Sequence, residues 1–449
     1  MQTLLVFSHL RWDFVYQRPQ HLLSRLAKHY RVLFFEEPVR GNQTPFLQRI
    51  APCANVEVLR PHTTIDAPGF HDDQLVELRP LIAEYLQDFS IDDYLVWFYT
   101  PMALPLLAEL SPRAVIYDCM DELSAFKNAP RQMVQRESAL IKRAHLVLTG
   151  GPSLYERKRD LHDNVFCFPS AVDAQHFARH ANSSNGKAAG GSAPLTRLAA
   201  TARAAAQAVH DVGAMNAEAE RLHGTIAQPR LGFYGVIDER FDLALLSAVA
   251  DGAPDWQFVM VGPVVKIDQA ALPRKDNIHW LGQQSYEVLP ALVAQWDVCL
   301  MPFALNESTR FISPTKTLEY MAAEKPIVST AIHDVVSLYG ESVAIAATAD
   351  EFIAACGRAL SESSGARQRR IEHMRTHVAQ CSWDVTARKI RDEIEAVQHG
   401  EILQDQNIAA ATLSVERLFK PVRGRVGETL RASAGDRATA EIAPAVAAQ

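Results

Sequence analysis

Short apolar runs recur along this chain, separated by longer stretches in which apolar residues return every three or four positions. The first run, residues 3–8, precedes residues 19–29, where Leu22, Leu23 and Leu26 share one helical face. Further runs at residues 31–35, 94–99, 114–117, 146–149 and 165–168 read as strands. Runs this apolar, alternating with helices, predict a parallel sheet covered on both faces. A second alternating set begins at Arg230, with strands predicted at residues 231–234, 257–261, 278–280, 298–301, 327–329 and 343–345. Between the two sets, residues 179–229 are rich in alanine, serine and glycine and then helix-prone, and they read as a linker or insertion. The expected fold class is α/β: an N-terminal Rossmann-like domain (1–178), a C-terminal one (230–380) and a cleft between them. A final amphipathic helix is expected at residues 381–400, and a polar, largely disordered tail at 401–449. In open α/β sheets ligands bind beyond the carboxyl ends of the strands, which places the site in the cleft.

Composition narrows the function classes. The 449 residues are 48% hydrophobic and 22% charged, with a formal net charge of −7. Such a chain has no global basic field to recruit nucleic acid. Its six cysteines are scattered without a C-x-x-C spacing, so neither a disulfide framework nor a zinc site is implied. The first residues lack a basic leader and read as a strand. No apolar run reaches the length of a membrane span. A cytoplasmic location is expected.

The densest chemistry lies at residues 313–330. Ser313 suits a helix N-cap, Pro314 the first helical position, and the helix should end before Pro326. The free N–H groups of such a helix start, with Thr315 and Lys316 beside them, form an anion seat. Glu319, one turn on, is suited to accept two hydrogen bonds from a ribose diol. The bland alternative is a surface helix with a Lys316–Glu319 ion pair. Gly235, Gly262 and Gly282 each follow a predicted strand, and small residues there let a ligand approach the backbone. Arg240 lies within reach of a phosphate, or is a surface residue of a turn. In the loop before residue 313, Glu307 and Arg310 are candidates for contacting a sugar, or simply hydrate the loop.

In the N-terminal half, His9, Arg11 and Trp12 follow the first strand and overhang the cleft, and Arg18 and His21 open the next helix. Trp12 suits stacking on a sugar face, or packing within its loop. Asp118 ends an apolar strand and Asp121 follows three residues later, a pair suited to acid–base work because clustered carboxylates raise one another's pKa. For Asp121 the alternative is a helix cap. No G-x-G-x-x-G follows the first strand, which argues against a dinucleotide-dependent oxidoreductase.

Several elements then agree in order with a known pattern. Gly235, Val261-Gly262, Asn277 through Leu281-Gly282, Trp296-Asp297-Val298 through Pro302, and Glu319-Tyr320-Met321-Ala322-Ala323 through Pro326-Ile327-Val328 follow one another. Earlier, Pro169-Ser170-Ala171-Val172-Asp173 through Phe177 stands at the junction of the two halves. This order resembles family 4-like glycosyltransferases of the GT-B fold, the glycosyl transferases group 1. The resemblance implies a nucleoside-diphosphate-sugar donor, with Glu319 on the ribose and Lys316 at the diphosphate. It implies a retaining reaction without a metal or other cofactor, and a glycan or lipid-linked acceptor of cell-surface polysaccharide synthesis held by Arg11, Trp12, Arg18 and His21. Catalytic roles fall to Asp118, Asp121 and His9, and peripheral inner-membrane contact is expected if the acceptor is a lipid. Two departures stand out: Phe311 takes the place of the family's second glutamate, and Arg240 is shifted from the family's phosphate-binding pair. A nucleotide-sugar epimerase of the same architecture, or an inactive sugar-nucleotide-binding partner, are the alternatives.

Overall fold

The structure, a computed structural model, describes residues 1–181 and 198–398. The expected tail at 401–449 and part of the alanine-rich insertion lie outside the described residues. The N-terminal lobe runs β1 (Thr3–Ser8), α1 (Arg18–Leu26), β2 (Arg31–Glu36), β3 (Val39–Arg40), β4 (Phe46–Cys53), β5 (Val56–Thr63), α2 (Leu75–Asp88) and β6 (Tyr94–Phe98). It continues through β7 (Val115–Cys119), α3 (Met133–Arg143), β8 (Leu146–Thr149), α4 (Pro152–Lys158) and β9 (Val165–Cys167). The order across its nine-stranded sheet is β3-β5-β2-β1-β6-β7-β8-β9, with β4 paired to β5 in the one antiparallel pairing of that sheet. Reading outward from β1 the order changes direction, to β2 on one side and β6 on the other, so the crevice beyond its carboxyl end is a switch point.

Alternation along the central strands builds two cores. Leu5, Phe7, Leu33, Phe35, Val96 and Phe98 face one layer of helices. Leu4, Val6, Val32, Phe34, Leu95 and Trp97 face the other. Successive side chains point to opposite faces of a strand, so a continuous apolar run fills both layers at once.

The C-terminal lobe comprises α5 (Ala174–Ala181), α6 (Leu198–His223), β10 (Arg230–Tyr234), α7 (Leu243–Gly252), β11 (Gln257–Val261), β12 (Ile278–Trp280), α8 (Leu289–Ala294) and β13 (Val298–Met301). Then come α9 (Lys316–Ala322), β14 (Ile327–Ser329), α10 (His333–Tyr339), β15 (Ala344–Ile345), α11 (Ala349–Leu360), α12 (Ser364–Gln380) and α13 (Trp383–Gln398). Its six strands, in the order β12-β11-β10-β13-β14-β15, are all parallel. The last turns of α6 pack on this lobe. Ala219 and His223 are buried, and the indole Nε1 of Trp296 donates to His223 Nε2 at 3.0 Å. Gly232 in β10 is required by the same tryptophan, because a Cβ there would stand 2.0 Å from its ring. α13 lies against α1, and its Trp383, Ala387, Ile390 and Ile394 are part of an N-terminal core.

Candidate active site

The carboxyl ends of the two sheets face one cavity of about 480 Å³, within the size range of small-molecule sites. Its C-terminal wall begins with the turns after β10 and β11. Gly235 has φ +139° and Gly262 φ +142°. A Cβ on Gly262 would lie 1.8 Å from the Gly235 carbonyl oxygen, so these turns stack more closely than any side chain permits. The N–H of Gly235 donates to the Val261 carbonyl at 2.9 Å, and that of Gly262 to the Gly282 carbonyl at 2.8 Å. Gly282, at φ +67°, supports this row through its carbonyl but does not itself line the cavity, where its neighbour Gln283 stands instead.

Behind the glycines stand the charges. The Lys316 ammonium sits 5.3 Å from the centroid of Phe233 and 5.0 Å from that of Phe303, held against ring faces. Burial, then the nearby Arg240 charge, brings its pKa down to about 8. Glu319 is buried and accepts a hydrogen bond from the Tyr234 hydroxyl. Burial pushes its carboxyl up to about 7, against the pull of Tyr234 and Lys316. Arg240 is clamped by Asp238, with Nε 3.0 and 3.1 Å from its two carboxylate oxygens and an NH2 at 2.7 Å. From the opposite lobe Asp121 also lines the cavity. Its carboxyl is pushed up to about 6, chiefly by burial and further by Asp238, although Arg240 pulls it down.

The helix carrying Lys316 starts later than its sequence suggests. Its flanking residue is Thr315, at φ −55° and ψ −38° with no side-chain cap, so Ser313 is not the N-cap and Pro314 is not the first helical residue. Ser313 is held by the other lobe, where the Ser170 hydroxyl donates to its carbonyl at 2.8 Å. Ser313, Pro314 and Thr315 form a turn that lines the cavity.

Other predicted residues are placed differently. Glu307 and Arg310 are exposed, 3.7 Å from each other, and do not line the cavity; they end on solvent because their loop turns outward. Phe311 instead reaches the N-terminal core, with the Arg157 guanidinium 5.1 Å above its ring. Asp118 is wholly buried away from the cavity, and the Arg18 guanidinium spans its two oxygens at 2.9–3.1 Å. Arg18 also donates to the Phe168 carbonyl at 2.6 Å. Its side chain borders the cavity, but its donors are taken by this scaffold rather than turned to an acceptor. A carboxylate so held is an anchor, not a base.

Arg11 is likewise turned away, to Glu36 at 3.0 Å and the carbonyls of Glu37 and Pro38. Its neighbour Trp12 lines the cavity while packing edge-on against Phe34 at 5.1 Å. His21 is buried and stacked on Trp383 at 4.8 Å, outside the cavity. Burial holds its imidazole well below the usual range, so it stays neutral. His9 lies beside the cavity without lining it. Its pKa is lowered to about 4 by burial and then by Lys266, which keeps it neutral as well.

Three lining residues had no place in the sequence reading. Tyr234 immediately precedes the strand-end Gly235, a register that aims it at Glu319. Tyr16 and Tyr286 are aromatic residues in polar loops, a pattern that marks a surface ring with a partner.

Residues 228–362 match the model of the family described as Glycosyl transferases group 1. The fold is GT-B. The matched segment contains every residue of the C-terminal wall named above, from Gly235 to Glu319. A curated relative is TuaH of Bacillus subtilis (strain 168), whose name assigns it to teichuronic acid biosynthesis as a glycosyltransferase. It is 28% identical over 167 residues, an alignment spanning 36% of this chain and 41% of TuaH. Similar solved structures include sucrose-phosphate synthase from Thermosynechococcus elongatus, with a TM-score of 0.62 at 15% identity over 89% of this chain and 100% of that one. Anabaena HepE, in complex with UDP and glucose, has a TM-score of 0.59 at 14% identity, over 88% of this chain and 100% of that one. These structural likenesses establish the fold. Among the described residues no helix is long and apolar enough to cross a membrane.

Proposed function

We propose that this chain is a glycosyltransferase that moves a sugar from a nucleoside diphosphate to a glycan or lipid-linked acceptor. The observation that carries the reading is the convergence of Lys316, Arg240 and Glu319 on one cavity behind a row of positive-φ glycines. A diphosphate leaving group develops negative charge as its bond to the sugar breaks, and preorganised cations offset that charge without reorganising at the moment of reaction. Lys316 and Arg240 serve this role, which makes a metal dispensable. Glu319, ionised, accepts hydrogen bonds from the ribose diol. Tyr234 keeps its carboxylate oriented for that contact. Asp121 enters from the other lobe and accepts a hydrogen bond from the incoming hydroxyl. Retention of configuration and a role in cell-surface polysaccharide synthesis follow from the resemblance to the group 1 family and from the name of TuaH.

The test is calorimetric titration of the purified chain with UDP, GDP, ADP and dTDP, beginning with UDP because HepE is similar in fold and carries it. One of the four is expected to bind, and Glu319→Ala is expected to lose affinity for it. The corresponding sugar nucleotide then serves as donor in transfer assays, where proton NMR of the product reports the anomeric configuration. Absence of binding by all four nucleotides overturns the reading.

A further inference from the structure

The loop from Trp12 to Gln17 lines the cavity along its whole length, and it is braced throughout. At its start, Arg11 grips Glu36 and two carbonyls, and the Trp12 N–H donates to Glu36 Oε1 at 2.7 Å. At its end, Arg18 is fixed on buried Asp118. Between these anchors the Gln20 amide donates to the carbonyls of Trp12 at 2.9 Å and Val15 at 3.0 Å, and its oxygen accepts the Gln17 N–H at 3.1 Å. A loop tied at both ends and at its middle keeps one shape.

This loop reaches the opposite lobe at two points. The Gln283 amide donates to the Phe14 carbonyl. The ring of Tyr16 stacks on Tyr286, with centroids 4.6 Å apart and planes 20° apart. The far face of Tyr286 is covered by His176, 4.4 Å away and 14° from parallel. Tyr286 therefore has no open face for a nucleobase; it forms the seat on which Tyr16 rests. Tyr16 and Tyr286 line the same cavity as Lys316 and Glu319.

Building on the reading of the cavity as a nucleotide-sugar site, we propose that residues 12–17 are a preformed strap that roofs the bound donor. Tyr16 and Tyr286 are its positioning pair. With the strap seated, bulk water is kept from the sugar carbon bonded to the diphosphate, and the nucleotide is held behind it. With the strap unseated, a water oxygen attacks that carbon, the bond to the phosphate oxygen breaks with its electron pair leaving on the nucleoside diphosphate, and the water's proton passes to solvent. The pair therefore governs how the donor divides between transfer and wasteful hydrolysis. The bonds that shape the strap, made by Arg11, Trp12, Gln20 and Arg18, lie within its own lobe, and its seat across the cleft is the Tyr16–Tyr286 stack together with the Gln283 bond to Phe14. Removing the Tyr16 ring thus weakens the seat while leaving the loop's own bonds in place.

The experiment measures nucleotide release by stopped flow from wild type, Tyr16→Ala and Tyr16→Phe. It uses whichever of UDP, GDP, ADP or dTDP the wild type binds, with thermal melting to confirm that each variant is folded. Tyr16→Ala is expected to release the nucleotide about five to ten times faster, and to hydrolyse the matching nucleoside-diphosphate glucose faster in the absence of acceptor. Tyr16→Phe, which keeps the stack, is expected to behave as wild type. A wild type that binds none of the four nucleotides would defeat the functional reading itself. A binding wild type whose Tyr16→Ala variant melts normally and releases at the parental rate would defeat the strap alone. If Tyr16→Ala melts far below wild type, Gln283→Ala takes its place, with the same two outcomes.

Discussion

The two walls of the cleft handle charge in opposite ways. On the C-terminal wall, Lys316 rests on two aromatic rings and Glu319 on a single hydroxyl, each displaced from its ordinary pKa by burial. These groups remain partly unsatisfied, a condition that suits a site awaiting a charged ligand. On the N-terminal wall most of the charged residues near the cavity are satisfied by one another: Arg18 by Asp118, Arg11 by Glu36, and Arg60 by both Glu36 and Asp13. With two exceptions, Arg240 held by Asp238 on the first wall and Asp121 facing the cavity on the second, one wall is built to bind and the other to hold its own backbone still. Polar residues at strand ends therefore divide into ligands and braces, and proximity to the cleft does not distinguish them.

Five substitutions test this contrast, beginning with the largest effect. Asp118→Ala strips a buried guanidinium of its partner and is expected to lower stability to chemical denaturation by about 3–5 kcal/mol. Nucleotide affinity of the folded protein should stay within about twofold, since Arg18 and Asp118 serve the scaffold; a catalytic Asp118 would show the reverse pattern. Lys316→Ala is expected to do the opposite. It removes a charged hydrogen-bond donor, weakening nucleoside diphosphate binding by about 1.5–3 kcal/mol, roughly 10- to 150-fold by calorimetry, with little loss of stability.

Glu319→Gln sharpens the comparison through pH. The carboxyl rises from its ordinary value to about 7 in the folded chain, so the folded state holds a proton that the unfolded state has released. Its contribution to stability is therefore full at low pH and is lost as pH rises through about 7. The variant should remove that decline in denaturation measurements between pH 5 and about 7. Lys316 runs the other way: with its pKa lowered to about 8, its contribution is present at high pH and lost as pH falls through that value. Nucleotide affinity, which needs Glu319 ionised and Lys316 protonated, should peak between about pH 7 and 8, and Glu319→Gln should abolish the acidic limb. The smallest effects belong to Glu307→Ala and Arg310→Ala, an exposed pair whose loss should change stability by less than about 0.5 kcal/mol and leave nucleotide affinity unaltered.

What could be read from the sequence follows the same division. Strand-end glycines and the Lys316–Glu319 spacing depend on local geometry, a turn that needs positive φ and a helix that repeats each turn, so the residues meet wherever the helix goes. Arg18 and Asp118 are one hundred positions apart in sequence. Each reads locally as a polar group at a cleft, and only the sheet order, which brings the chain after β7 beside the start of α1, reveals that they satisfy one another. The start of the Lys316 helix differs from its local signal for a related reason: a serine and a proline make a good cap in isolation, but the Ser313 carbonyl is engaged by Ser170 across the cleft. Tyr16 and Tyr286 are not legible in the sequence, because a stacked pair drawn from two loops leaves no periodic trace.

The return of α13 to the first lobe bears on how the chain acquires its structure during synthesis. Trp383, Ala387, Ile390 and Ile394 fill a core whose other members, from Leu4 to Phe168 and Ala171, are made far earlier. Large proteins usually let each finished domain fold as it leaves the ribosome. Here one face of the first lobe's core stays uncovered until the end of the second half has emerged.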